Sequence, residues 1–176
     1  IPEFWLKPLQ EIEKDDFDLG NAHAKKGDYE NAIIFYKKAI ELDPYEPENY
    51  YELANAYFEK GENENAIISY EKSIVLYPDH PATLYNLGNA YTKKGDYEKA
   101  IISFVKVIEL RPNNDDAYNN LGIVYDKIGD YEKAIDTYEK AIALNPSDAI
   151  AYNNLGIAYA KKGDIEKAID TYEKAI

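Results

Sequence analysis

Cysteine is absent from the 176 residues, histidine occurs twice and tryptophan once. Without cysteine there are no disulfides and no thiol chemistry. Cations are scarce as well: 20 Lys and Arg stand against 33 Asp and Glu, a net charge of −13. That balance argues against nucleic acid or an anionic membrane surface as a partner, and mildly favours basic ones. No run of about 18 apolar residues and no signal peptide can be read, so no membrane span is expected and the cytoplasm is the default compartment. Glycines are spread singly rather than gathered into a phosphate-binding loop, and no motif places a base beside a serine. Enzyme activity, a cofactor and a metal are therefore not expected.

What is present is a period. Prolines fall at Pro44, Pro78, Pro112 and Pro146, glycines at Gly27, Gly61, Gly95, Gly129 and Gly163, and alanines at Ala32, Ala66, Ala100, Ala134 and Ala168. Each series steps by 34 residues, a spacing that marks a solenoid whose units bury their apolar faces against their neighbours. The units are Glu13–Glu46, Pro47–His80, Pro81–Asn114, Asp115–Asp148 and a shortened Ala149–Ile176. Residues 1–12 stand outside the period. Ile1–Phe4 has the look of a cloning remnant, Pro8 onward reads as an extension of the first helix, and Phe4, Trp5 and Leu6 are expected to dock on protein.

Within the fourth unit, Tyr118, Leu121, Gly122 and Tyr125 recur at helical spacing, as do Tyr131, Ala134, Ile135 and Tyr138 after the glycine. The turn between them is chemically coherent. Lysine suits the C-terminal end of the first helix, glycine closes it, and the next aspartate (Asp28, Asp96, Asp130, Asp164) caps the second helix. Pro then breaks the chain toward the next unit. This 34-residue helix–turn–helix with Tyr118, Leu121, Gly122, Tyr125, Ala134, Tyr138, Ala141 and Pro146 resembles the tetratricopeptide repeat (TPR). The resemblance runs through all five units, residues 13–176, read as one TPR domain. It implies an all-α fold, a right-handed superhelical solenoid of antiparallel helix pairs. Departures fall in the first two units. Asp16 and His23 make the first more polar, as an end unit should be. Ala54, Asn63 and Ser73 in the second suggest looser packing.

The two histidines have bland readings, His23 as a packing residue and His80 as a solvated turn residue. Asp115 and Asp116 fit the start of a helix dipole better than a metal site. Most tyrosines follow the core period. Three columns do not. The fifth place of each first helix holds Phe17, Tyr51, Tyr85, Asn119 and Asn153. The next residue is Asn86, Asn120 or Asn154 in the last three units. The ninth place holds Asn21, Asn55 and Asn89 in the first three. Asn is a mediocre helix former, so its recurrence on one helix face asks for a reason. It either bonds a neighbouring helix or forms a ladder of amides for the backbone of an extended peptide.

In the family that the sequence resembles, the fifth place faces a concave groove, and a similar asparagine ladder lines the O-linked N-acetylglucosamine transferase superhelix. The resemblance thus implies a protein-interaction scaffold for a neutral or basic peptide. Another family mode clamps a terminal carboxylate with Lys, Asn, Asn, Lys and Arg. Those places hold Phe17, Asn21, Glu52, Ala82 and Asn86 here; the cations are missing, so no such clamp is expected. Rival readings are a self-associating array stacked end to end, and the recruiting arm of a larger enzyme or regulator. Leu155, Tyr159, Ile169 and Tyr172 are expected to be partly uncovered at the last unit.

Overall fold

A computed structural model of the chain describes the backbone of residues 9–175 and the side chains of residues 14–175. Phe4, Trp5, Leu6 and Pro8 lie outside the described residues. Among those described there are ten α-helices and no strand. In chain order they are α1 Leu9–Lys25, α2 Tyr29–Leu42, α3 Pro47–Glu59, α4 Asn63–Leu76, α5 Pro81–Lys94, α6 Tyr97–Leu110, α7 Asp115–Lys127, α8 Tyr131–Leu144, α9 Ala149–Lys162 and α10 Ile165–Glu173. Each repeat supplies an odd-numbered first helix and an even-numbered second one, as the period predicts.

The helices gather into two compact units, residues 1–90 and 91–176. In the first unit, α1 packs on α2, α2 on α3 and α3 on α4, and α1 also touches α3. In the second, α6, α7, α8, α9 and α10 pack in succession, and α7 touches α9. First helices of adjacent repeats are therefore neighbours within a unit, which is what brings the polar columns together.

Local chemistry closes each hairpin. At the α7–α8 turn, Gly129 takes a φ of 79°, a left-handed conformation that a side chain would strain. The Gly129 N–H reaches the Asp126 carbonyl at 3.1 Å, and the Asp130 N–H reaches the Tyr125 carbonyl at 3.0 Å. The Asp130 carboxylate then accepts from the Lys133 N–H at 3.2 Å, capping α8. Asp28, Asp96 and Asp164 cap α2, α6 and α10 in the same way. The second repeat is the exception. Glu62 makes no side-chain cap bond to α4, and the Asn63 Oδ1 beside it is buried without a partner.

Small residues set how closely each pair packs. Ala32, Ala66, Ala100, Ala134 and Ala168 are all buried. A Cβ on Gly122 would stand 2.6 Å from the Tyr138 ring, so only hydrogen fits there. Ala54 holds the equivalent place in the second repeat, yet Ala54, Tyr70 and Ser73 are fully buried. The looser packing expected of that repeat is not found; its departures cost it a cap and one hydrogen bond rather than density. At the last repeat Leu155 is also covered, in a cluster with Ala134, Ile135, Tyr138 and Ala158. Tyr159 and Tyr172 are half-buried, and Ile169 is exposed.

Candidate functional site

The columns singled out in the sequence lie on α1, α3, α5, α7 and α9. In the first unit they form a connected polar seam. The Tyr36 hydroxyl, buried in α2, donates to Asn21 Oδ1 at 2.8 Å, and the Tyr70 hydroxyl, buried in α4, donates to Asn55 Oδ1 at 2.6 Å. A buried phenol needs an acceptor, and the ninth place of the first helix in the same repeat supplies it. Asn86 Nδ2 then donates across repeats, to Asn55 Oδ1 at 3.0 Å and to the Tyr51 hydroxyl at 3.3 Å. Asn55 Nδ2 donates to Glu52 Oε2 at 3.2 Å.

The second unit repeats the inter-repeat bond with different partners. Asn154 Nδ2 donates to Asn119 Oδ1 at 3.1 Å. Asn86 and Asn154 thus occupy the same place and reach the same place one repeat back. Their amide protons tie first helices together. Of the two readings of these columns, a bond to the neighbouring helix holds for Asn86 and Asn154, and truncating either would remove bonds between repeats. Both retain a carbonyl: Oδ1 of Asn86 and of Asn154 accepts from no described residue. Asn119 is buried, Asn153 is exposed, and Asn21, Asn89 and Asn120 are half-buried.

The aromatic column is half-buried at Phe17, Tyr51 and Tyr85. Phe17 tilts against Tyr36 with ring centres 5.8 Å apart, and Tyr51 tilts against Tyr70 at 6.2 Å. Tyr51 also meets the His80 ring edge-on at 5.6 Å. His80 is not a solvated turn residue. Its Nδ1 lies 2.6 Å from the buried Thr83 hydroxyl, it stacks on Tyr77, and its carbonyl accepts the Leu84 N–H at the start of α5. His23, by contrast, packs as expected, stacked on Phe35 with Nδ1 2.8 Å from Asp28 Oδ2.

Electrostatics separate the groups into fixed donors and one uneasy acid. Burial pushes the Tyr36 and Tyr70 hydroxyls far above their ordinary range, so both stay protonated. The charge of Glu52 adds to the rise at Tyr36, and Tyr51 adds to it at Tyr70. Burial also raises the Glu52 carboxyl, with the Asn55 hydrogen bond opposing the rise and Glu48 adding to it. Asp115 accepts from Asn145 Nδ2 at 2.8 Å in the first turn of α7. Among the described residues no three His, Cys, Asp or Glu side chains come together to hold a metal ion, and no helix is long and apolar enough to cross a membrane. The seam offers amide donors, carbonyl acceptors and aromatic faces.

Models of the tetratricopeptide repeat match residues 82–147 and 119–176, and a TPR repeat model matches residues 20–61 and 54–95. A crystal structure of MamA protein is 35% identical with a TM-score of 0.90, covering 94% of this chain and 91% of that one. The chain belongs to the tetratricopeptide repeat family. A second MamA structure is 36% identical with a TM-score of 0.86, over 89% of this chain and 92% of that one. YrrB, described as a TPR protein with an unusual peptide-binding site, is 25% identical with a TM-score of 0.82, over 97% and 91%. No curated protein matches the chain. Within this TPR array, sequence reasoning misses the buried tyrosine hydroxyls of α2 and α4 as partners of the ninth-place asparagines. The signal lies in Tyr36 and Tyr70, each fifteen residues after its asparagine.

Proposed function

We propose that this TPR chain is a non-enzymatic interaction scaffold that takes an extended peptide segment of a partner protein against its first helices. The reading applies to each unit by itself: Phe17, Asn21, Tyr51, Asn55, Tyr85, Asn86 and Asn89 in the first, and Asn119, Asn120, Asn153 and Asn154 in the second. The observation that carries it is the division of labour in the sixth-place asparagines. Asn86 and Asn154 spend their protons on the neighbouring repeat and keep a carbonyl oxygen without a donor. An extended peptide presents N–H groups along its edge, and carbonyls at a fixed repeat can accept them irrespective of side chain. The peptide-binding site named for YrrB favours the same ligand class.

The test is a fluorescence-polarisation titration with a peptide selected from a random display library. Asn153 is exposed and has no hydrogen-bond partner among the described residues, so Asn153→Ala reads recognition alone. Loss of one hydrogen bond of about 1 kcal/mol predicts roughly fivefold weaker binding with an unchanged melting temperature. Undiminished affinity in both Asn153→Ala and Asn86→Ala would remove the first helices as the binding surface.

A further inference from the structure

Glu52 departs from the pattern around it, and the role this gives it both deepens the peptide reading and rests on it. The sixth place holds Asn86 and Asn154 where the fifth place one repeat back offers an oxygen, on Tyr51 or Asn119. Glu52 follows Phe17, which has no acceptor, and a carboxylate has no proton to give. The same place is therefore released from tying helices together in the second repeat.

What Glu52 does instead is incomplete. Its side chain is half-buried, Oε2 accepts from Asn55 Nδ2 at 3.2 Å, and Oε1 accepts from no described residue. The ion pairs among the described residues do not include Glu52. Asn55 meanwhile is pinned, its own Oδ1 accepting from both Tyr70 and Asn86, so the carboxylate is oriented by a fixed amide. A partly desolvated carboxylate with one neutral donor is short of the bonds it had in water. A group carrying several N–H donors and a positive charge supplies what is missing. Half-buried aromatic rings stand beside it in sequence at Tyr51 and at the matching place one repeat earlier, Phe17, and such faces attract cations.

We infer that Glu52 anchors a lysine or arginine side chain of the bound peptide, with the rings of Phe17 and Tyr51 at its flanks, so that the first unit selects a basic residue at one ligand position. Glu52 is then a specificity residue, and the amide column supplies sequence-independent contact.

The experiment pans one random dodecapeptide library on the whole 176-residue chain, on Glu52→Gln and on Glu52→Lys, each first checked for cooperative thermal unfolding. The native chain is expected to select peptides with Lys or Arg fixed at one position. In a synthetic peptide of the winning sequence, replacing that residue by Gln should weaken binding to the native chain at least tenfold. Glu52→Gln should bind both peptides within twofold of each other, and Glu52→Lys should select Asp or Glu at that position. Selected peptides without a basic preference, or with a preference that survives in Glu52→Gln, would overturn the anchor and leave peptide binding standing. Failure of the native chain to select any peptide would overturn both. If neither variant folds, the lysine-to-glutamine peptide swap on the native chain still decides: equal affinity overturns the inference.

Discussion

Asparagine in the middle of a helix is explained one residue at a time. Asn86 gives both Tyr51 and Asn55 a hydrogen bond from the next repeat, so it holds α5 to α3 as well as offering a carbonyl. Asn86→Ala is expected to cost about 1–2 kcal/mol in urea unfolding, the net value of one or two such bonds. The exposed Asn153→Ala should stay within about 0.5 kcal/mol of the parent, as ordinary surface changes do. Glu52 makes the opposite prediction. Burial raises its carboxyl above the ordinary glutamate value, so the folded chain holds that proton more tightly than the unfolded one. Stability contributed by this group is therefore present at low pH. It falls as pH rises from about 4.3 through the folded value. Glu52→Gln removes that fall, and a melting-temperature profile across pH 4 to 7 should be flatter in the variant than in the parent. A parallel pair of profiles would contradict the assigned cause.

The elements are legible in the sequence because each boundary is local chemistry. Gly129 needs a left-handed φ, Asp130 caps α8, and Pro146 ends the pair; none of these depends on a distant contact. The Asp130 carboxyl is held below its usual range by the Lys133 side chain and then the Lys133 backbone N–H. That stabilisation is present above the unfolded value and lost as pH falls through the folded one. Asp130→Ala should accordingly lower the melting temperature at pH 7, and the difference from the parent should shrink at pH 3. The second repeat misleads because its substitutions, taken one by one, each suggest a gap. Ala54 and Tyr70 are each fully buried all the same, and burial depends on neighbours that no single position announces. His80 misleads because Tyr51 reaches it from the earlier helix α3, while Tyr77 and Thr83 close on it from three residues to either side. Gly122→Ala tests the packing reading. The alanine gains about 1 kcal/mol of helix propensity, but its Cβ meets the Tyr138 ring at 2.6 Å, and overpacking of this kind costs about 1–3 kcal/mol. A net loss is expected by chemical denaturation; a gain would mean that the Tyr138 ring moves aside at little cost.

For the whole molecule, repetition shows which surfaces have a natural cover. Ile33, Ile67 and Ile135 hold one place in their repeats and are 7%, 6% and 9% exposed, and Ile101 there is half-buried, whereas Ile169 at the same place is 53% exposed. The 176-residue chain therefore presents an apolar face that its earlier repeats bury, and end-to-end association is expected to rise with concentration in light scattering. Ile169→Lys should abolish that rise; association unchanged by the substitution would place the contact elsewhere. The period and the family are visible in the sequence from residue 13 onward. The site is visible only as columns, because the sequence does not say that half of an asparagine such as Asn86 is already used by the adjacent repeat. The central claim is that peptide recognition belongs to the first helices. Its most direct measurement is an NMR titration of the labelled chain with the library-selected peptide, watching the side-chain amides. Saturable shifts at Asn86, Asn153 and Asn154 are predicted, with the depression formed by α8, α9 and α10 around Tyr159 and Lys167 unmoved. Shifts confined to that depression, with the asparagine amides still, would contradict it.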